Sequence, residues 1–225
     1  VTGGNCIAID FPGGTNTYAN GINLQGDIVG RYTGADGTVH GFLWRGFVKT
    51  ASMVYSAAHD FSTRLNPNAV WSYGFTTTVG GPFTLNSISG STYYSGEAGW
   101  FGPIPGATAP GFPLVVGGAN VISTVLDMGP GPSSYAVVRW TAPSRGRWDV
   151  VGEFFGTGLT TGDVHVLRDG APVFNSAVNG SQVAQFSLSI DVVAGDTIDF
   201  AAGPGPYGDN LNDPTGFNVT ITPEQ

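Results

Sequence analysis

The chain has 225 residues, 36 of them Gly and 15 Pro, and only 11% are charged, against about a quarter in ordinary soluble domains. Sixteen Asp and Glu against eight Lys and Arg leave a net charge of −8, which repels phosphate backbones and anionic lipid surfaces and argues against nucleic-acid or membrane partners. A hydrophobic content of 41% is too high for disorder, and the scarcity of Lys and Glu is wrong for solvated helices, so a turn-rich β protein remains.

Short alternating runs open the chain: CIAIDF, NGINL, GDIVGRY and TVHGFLW, spaced by Gly, Asn and Asp-Gly turns. Asp36-Gly37 suits a tight hairpin turn with positive φ. Residues 1–50 are therefore expected to form a β-meander arm, and 51–58, where the period is lost, a linker. Cys6, the sole cysteine, excludes an intrachain disulfide and is expected to be a small buried residue of the first strand, with an intermolecular pair or free thiol as the alternatives.

Residues 59–225 read as a second, larger block. Strands are expected near 70–78, 83–86, 121–126, 135–141, 148–155, 163–167, 173–178, 183–192, 197–202 and 217–222. Ser144-Arg145-Gly146, Asp169-Gly170, Asn179-Gly180 and Ala194-Gly195-Asp196 separate them and signal the hairpins of a sandwich. The stretch 80–118, rich in Gly, Pro and aromatics without clean alternation, is expected to be a long functional or Ω-type excursion. The nearest approach to an apolar span, from Pro113 to Leu126, is broken by Gly117, Gly118 and Asn120 and is too short to cross a bilayer. The fold class expected is all-β, a jelly-roll-like antiparallel β-sandwich with an N-terminal β-meander arm.

Two resemblances accompany this reading. Asp10-Phe11-Pro12-Gly13, Gly21-Ile22-Asn23, Gly26, Ile28-Val29-Gly30 and His40-Gly41-Phe42-Leu43 resemble one unit of the extracellular repeat family named for its His-Ala-Phe signature, with Gly41 in place of Ala. Repeats of that kind come in series as propeller-like blades, and a single one is present here. The strings DFSTRLNPNAVWSYG, VVRWTAP, GDVHVLRDGAPVF, AGDTIDF and NLNDPTG resemble a module found beside sorting tails and adhesion repeats in secreted bacterial proteins, and more distantly the jelly-roll carbohydrate-binding modules. The resemblance implies an extracellular, noncatalytic β-sandwich, in keeping with a composition that favours secretion.

Catalytic signals are weak. His40, His59 and His165 sit in three unrelated contexts with no metal or nucleophile motif around them, and His165 shares a strand face with Asp163 and Leu167 as a satisfied structural histidine would. Glu153 and Asp149 face one side of their strand and form the best carboxyl pair for a glycan-active enzyme, more simply read as a solvated face. A structural Ca²⁺ is the one cofactor expected, held by Asp209, Asn210, Asn212 and Asp213 with Asp60 as a further ligand, although Asp and Asn also build turns through backbone bonds. Trp71, Tyr73, Tyr93, Tyr94, Trp100, Phe101 and Tyr207 are the candidate platform for a sugar ring, while Trp140 and Trp148 are expected in the core.

A lone meander of about forty residues cannot cover its own apolar side. The leading expectation is therefore a non-catalytic extracellular structural protein that self-associates into a homopolymeric fibre or layer through Ile7, Ile9, Phe11, Ile22, Ile28, Val29, Phe42 and Trp44. Its alternatives are a carbohydrate-binding module with a polysaccharide partner and an unrecognised glycan-active enzyme. Asn179-Gly180-Ser181 and Asn218-Val219-Thr220 are acceptor sequons for N-glycosylation.

Overall fold

A computed structural model describes residues 10–23, 27–44, 53–92, 96–102, 111–117, 125–157, 160–207 and 214–224, leaving aside the side chains of residues 111, 112, 117 and 207. The chain divides into two compact units, Val1–Met53 and Val54–Gln225. All described sheets are antiparallel. Among the described residues no helix is long and apolar enough to cross a membrane.

The first unit is a three-stranded sheet in the order β1 (Gly14–Ile22), β2 (Ile28–Gly34), β3 (Val39–Trp44). The turn between β2 and β3 puts its positive φ on Gly37 alone, at 77°, and the Asp36 carboxylate accepts from Thr38 N at 3.0 Å. The first strand differs from expectation. It begins at Gly14 and takes in Thr15 to Ala19, whereas Asp10 and Phe11 precede it and Cys6, Ile7 and Ile9 lie outside the described residues. Phe11 stacks on Tyr32 at 3.8 Å between ring centres and lies 6.0 Å from Phe42, whose ring is seated over Gly30. Phe11 and Phe42 thus pack against each other inside the unit. Ile28 is half-buried, while Ile22, Val29 and Trp44 stay exposed.

In the second unit the described strands are shared between two facing sheets, eight in one and six in the other. The first sheet runs β15 (Val183–Val192), β12 (Gly146–Gly156), β17 (Thr215–Pro223), β10 (Leu126–Gly129), β9 (Gly111–Gly117), β8 (Ala98–Gly102), β7 (Ile88–Ser91), with the short β4 (Tyr55–Ser56) also paired to β17. The second runs β14 (Ala171–Asn179), β13 (Thr161–Arg168), β16 (Thr197–Gly203), β11 (Tyr135–Thr141), β5 (Trp71–Thr76), β6 (Thr84–Leu85). The chain is an all-β, jelly-roll-like sandwich with a separate β-meander.

Alternation builds the core. Phe154, Phe186 and Phe217 point inward from the first sheet and meet Phe200 from the second, with Phe200 and Phe154 each 5.0 Å from Phe217. Trp140 and Trp148 pack edge to face at 5.2 Å beside Tyr55. Side-chain hydrogen bonds then tie the 57–70 loop to the sheets. Asn66 brackets Tyr73 through both of its backbone polar groups, Trp71 Nε1 donates to Asp60, and Trp100 Nε1 donates to Ser62 O at 2.6 Å.

Of the four expected hairpin turns, only Asp169-Gly170 closes a hairpin, between β13 and β14, with both residues at positive φ (48° and 80°). The other three carry the chain from one sheet to the other, as the β11–β12, β14–β15 and β15–β16 connections. A turn signal encodes reversal, whereas the sheet a strand joins depends on long-range pairing. The 80–118 stretch also departs from a pure excursion, because its described parts supply β6 to β9. Glycines hide those strands: Gly90 faces Gly99 across the ladder, and a Cβ on Gly99 would stand 2.3 Å from Val115 O. Pro113 is accommodated next to the register shift between β8 and β9.

Phe217→Ala removes the ring on which Phe154 and Phe200 converge, and is expected to cost about 3–5 kcal/mol of unfolding free energy. Urea titration of the full chain checks this, and a loss below about 1 kcal/mol would show that the core is not centred there.

Candidate functional site

A sandwich has two outward faces, and here they differ. Over the second sheet, Val137, Leu167 and Ala201 are buried on the outside beneath Val79, Phe83 and Tyr135. The segment joining β5 and β6 brings Val79 and Phe83 to this cover, and β11 brings Tyr135. Gly80 is at φ 71°, and a Cβ there would stand 2.2 Å from Gly170 O, so only glycine lets the cover lie this close to the β13–β14 turn. Under the cover Arg139 grips Asp199 through two hydrogen bonds of 2.7 and 2.8 Å, with its guanidinium 4.1 Å from the Phe83 ring.

Beside this cover lies a polar cluster on β11, β13 and β14. Asp163 accepts from Tyr135 Oη at 3.0 Å and from Gly205 N at 3.0 Å, and His165 Nε2 sits 2.8 Å from the same carboxylate. His165 Nδ1 lies 2.6 Å from Asn175 Oδ1, so both ring nitrogens have oxygen partners. Burial opposes the imidazolium, but the Asp163 and Asn175 hydrogen bonds and the Asp163 charge outweigh it and raise the His165 pKa. Burial followed by the Asp163 charge pushes Tyr135 up to about 12. With both Asp163 oxygens, both His165 ring nitrogens and the Tyr135 hydroxyl engaged, the cluster reads as a strut.

The outer face of the first sheet is open. Parity sends Val151, Glu153 and Phe155 outward from β12 because Trp148, Val150 and Phe154 are buried. Register then lays them in rows: Gln185, Glu153 and Asn218 abreast, and Ser187, Val151 and Thr220 abreast. These six side chains line a shallow cleft of about 560 Å³, and Gln185 Nε2 donates to Glu153 Oε2 at 3.3 Å. At the next row Phe155 lies across Gly216, where a Cβ would stand 2.2 Å from the ring.

Asp127, on β10, pairs with Gly216 in the ladder and so shares this face. Burial, then the charge and hydrogen bond of Glu97, push its pKa up to about 6. The pair is unlike Glu153 and Asp149, for which expectation of a carboxyl pair rested on shared parity along one strand.

The expected sites are relocated. Trp71, Tyr73 and Phe101 are buried, and Trp100 is only 9% exposed, because Trp71 and Tyr73 pack inward with the core and the Trp100 indole is bound to Ser62. They cannot form a platform for a sugar. Tyr93 and Tyr94 lie outside the described residues, and Tyr207 closes a 3₁₀ turn, Gly205–Tyr207, with its side chain likewise outside them. Asp60 accepts from Trp71 Nε1 and Ser56 N, and its Oδ1 lies 3.1 Å from His59 Nδ1. Asp209, Asn210, Asn212 and Asp213 lie outside the described residues. Among the described residues no three His, Cys, Asp or Glu side chains gather as a metal site. Sequence reasoning missed Phe155, Gln185 and Asn218. Their signal was the parity of β12, but only the register brings the three strands together.

No protein-family model matches the chain, so none supports the His-Ala-Phe resemblance, and no curated protein matches it. Among solved structures it is similar to the CBM51 of GH95 from Clostridium perfringens, solved in complex with methyl-galactose, at 14% identity over 61% of this chain and 80% of that one (TM-score 0.33). It is also similar to the CBM36-1 domain of a multidomain xylanase from the hindgut metagenome of Trinervitermes trinervoides, at 11% identity over 69% and 97% of the two chains (TM-score 0.35). A family 35 carbohydrate-binding module from an environmental isolate matches at 15% identity over 68% and 96% (TM-score 0.32). None of these likenesses assigns a residue or a ligand to this chain.

A carboxyl whose folded pKa stands above its unfolded value binds its proton more tightly in the folded state. Asp127 therefore withdraws stability as pH rises from its ordinary 3.8 through about 6, and the loss is complete above that. Asp127→Asn is expected to raise stability at pH 7 by about 1–3 kcal/mol and to flatten that window. Thermal melts at pH 4, 6 and 7.5 measure both, and an unchanged pH profile would exclude the pairing.

Proposed function

We propose that the sandwich is a non-catalytic carbohydrate-binding module, working in a secreted setting, whose site is the open outer face of β15, β12 and β17. The observation that carries this reading is the row of Gln185, Glu153 and Asn218 beside the half-buried Phe155 ring, in a cleft of about 560 Å³. Amide and carboxylate groups at fixed cross-strand spacing match the alternating donors and acceptors of sugar hydroxyls, and an outward ring seated against Gly216 offers the apolar face of a pyranose something to stack on. The cleft is shallow and open, which suits a chain lying across it better than an enclosed small molecule. On the opposite face, Val79 and Phe83 of the β5–β6 segment cover Val137, Leu167 and Ala201.

The test is affinity electrophoresis of bacterially expressed protein through gels containing neutral soluble polysaccharides, since Asn218 begins an Asn-Val-Thr sequon. Retention on at least one polysaccharide is expected, weakened about tenfold or more by Asn218→Ala or Phe155→Ala. Absence of retention across glucans, mannans, xylans and galactans would exclude the reading.

A second reading, assembly of copies through the meander, is favoured by the exposure of Ile22 (71%), Val39 (66%), Leu43 (55%) and Val29 (50%) on so small a sheet. β1 and β3 are its edges among the described residues and offer unpaired backbone to another copy. Sedimentation velocity is expected to show species heavier than the monomer that Leu43→Lys disperses. A chain that stays monomeric at its solubility limit would rule this out.

A further inference from the structure

The chain holds eight Lys and Arg in all, yet three of them, Arg145, Arg147 and Arg168, line one pocket of about 280 Å³ at an end of the sandwich. That is near the lower end of the range of small-molecule sites, about 300–1,000 Å³. Arg145 comes from the β11–β12 connection, Arg147 from the outward parity of β12, and Arg168 from the last position of β13, while Asp191, Val192 and Val193 close the pocket from the end of β15.

Two of the guanidiniums are aimed by carboxylates that do not line the pocket. Arg147 Nε lies 2.8 Å from Ser189 Oγ and 2.8 Å from Glu224 Oε2. Arg168 Nη2 donates to Asp196 Oδ2 at 3.2 Å, and its Nε lies 3.6 Å from Asp169 Oδ2. Asp191 is the one carboxylate in the lining, 3.8 Å from Arg147 Nη1 and itself 75% exposed. Arg145 is exposed and has no ion-pair partner among the described residues. The lining therefore presents three forked donors to one weakly held carboxylate. The surrounding acids cancel any long-range attraction for anions, so selectivity must come from direct bonds at short range.

The pocket and the cleft both border β12. Arg147, Asp149, Val151 and Glu153 project from the same side of β12, and Glu153 follows Arg147 by six positions, about 20 Å along a strand. A glycan lying along β12 from the Glu153 row ends at the arginines. Asp149 and Glu153 line its path, so a chain charged at every sugar is repelled there.

We infer that this pocket takes the anionic substituent, a carboxylate or a sulfate, of a sparsely charged polysaccharide whose neutral backbone lies along β12. The inference rests on the reading of the outer face as a glycan cleft and names the class of glycan it selects.

The test uses the full-length protein and calorimetric titration with cello-, manno- and galacto-oligosaccharides, each in three matched forms: neutral, with one 6-carboxylate, and with one 6-sulfate. At least one singly charged form is expected to bind about tenfold more tightly than its neutral parent, with the gain shrinking as NaCl rises. Arg145→Gln, an exposed position whose thermal melt should match that of the unaltered protein, is expected to remove the gain and leave neutral binding in place. The form with the larger gain identifies the source, carboxylate or sulfate. Equal binding of neutral and charged forms, or a gain that survives both Arg145→Gln and Arg147→Gln, overturns the inference while the cleft reading stands. If none of the nine oligosaccharides binds while a neutral polysaccharide still retains the protein, the inference alone falls; if no polysaccharide retains it either, both fall.

Discussion

The mutual burial of Phe154, Phe186, Phe200 and Phe217 is the constraint on which the rest of the second unit depends. A strand has a period of two, so once Phe154 is committed to the core, Glu153 and Phe155 must point the other way. The same holds for Phe217 with Asn218, and for Phe186 with Gln185. Because the three rings come from adjacent strands and share one parity, their outward neighbours form one lattice of polar groups beside Phe155. A slip of one residue in any of these strands would bury Glu153 or Asn218 and expose a phenylalanine, so core packing itself defends the geometry of the open face.

The two faces of the sandwich are finished by opposite means. On the second sheet, Arg139 and Asp199 neutralise each other at short range and Phe83 closes over the guanidinium, which lets an ion pair lie under an apolar cover without leaving a charge unmatched. Gly80 makes that cover thin by meeting the β13–β14 turn backbone to backbone. On the first sheet, the rows across β15, β12 and β17 keep water access and adaptable hydrogen-bonding groups. Rigidity comes from below, since Gly152 gives room for the Phe186 ring under the cleft floor. A preorganised polar surface on a stiff core loses little freedom when it binds, which is what a hydrogen-bonding cleft requires.

Much of the sandwich was legible. Strands such as Tyr135–Thr141 and Val183–Val192 alternate cleanly, and Asp169-Gly170 carries its turn chemistry in two letters. The illegible parts share one cause, which is dependence on contacts distant in sequence. Trp71 and Tyr73 look like a display pair, but Asp60 and Asn66 draw them into a buried network that has no local signature. The strands at Ala98–Gly102 and Gly111–Gly117 are spelled with glycines whose partners are backbone atoms of neighbouring strands, so neither face shows a pattern. Phe154 and Phe155 are chemically identical in the sequence. Gly216, on another strand, is the reason the second of them finds a seat on the outside.

The meander obeys a different economy of contacts. Three short strands have two faces and no second layer of their own, so the Phe11, Tyr32 and Phe42 stack can shelter only one side. Val29 and Leu43, cross-strand neighbours, sit on the opposite parity with Arg31 over the Tyr18 ring. This apolar, sparsely charged sheet and the polar lattice of the sandwich ask for partners of opposite chemistry. Sugar hydroxyls gain nothing from Val29 and Leu43, and an apolar strand gains nothing from Glu153 and Gln185. The two surfaces therefore do not compete for one ligand, and recognition of a polysaccharide by one unit is physically compatible with association of copies through the other.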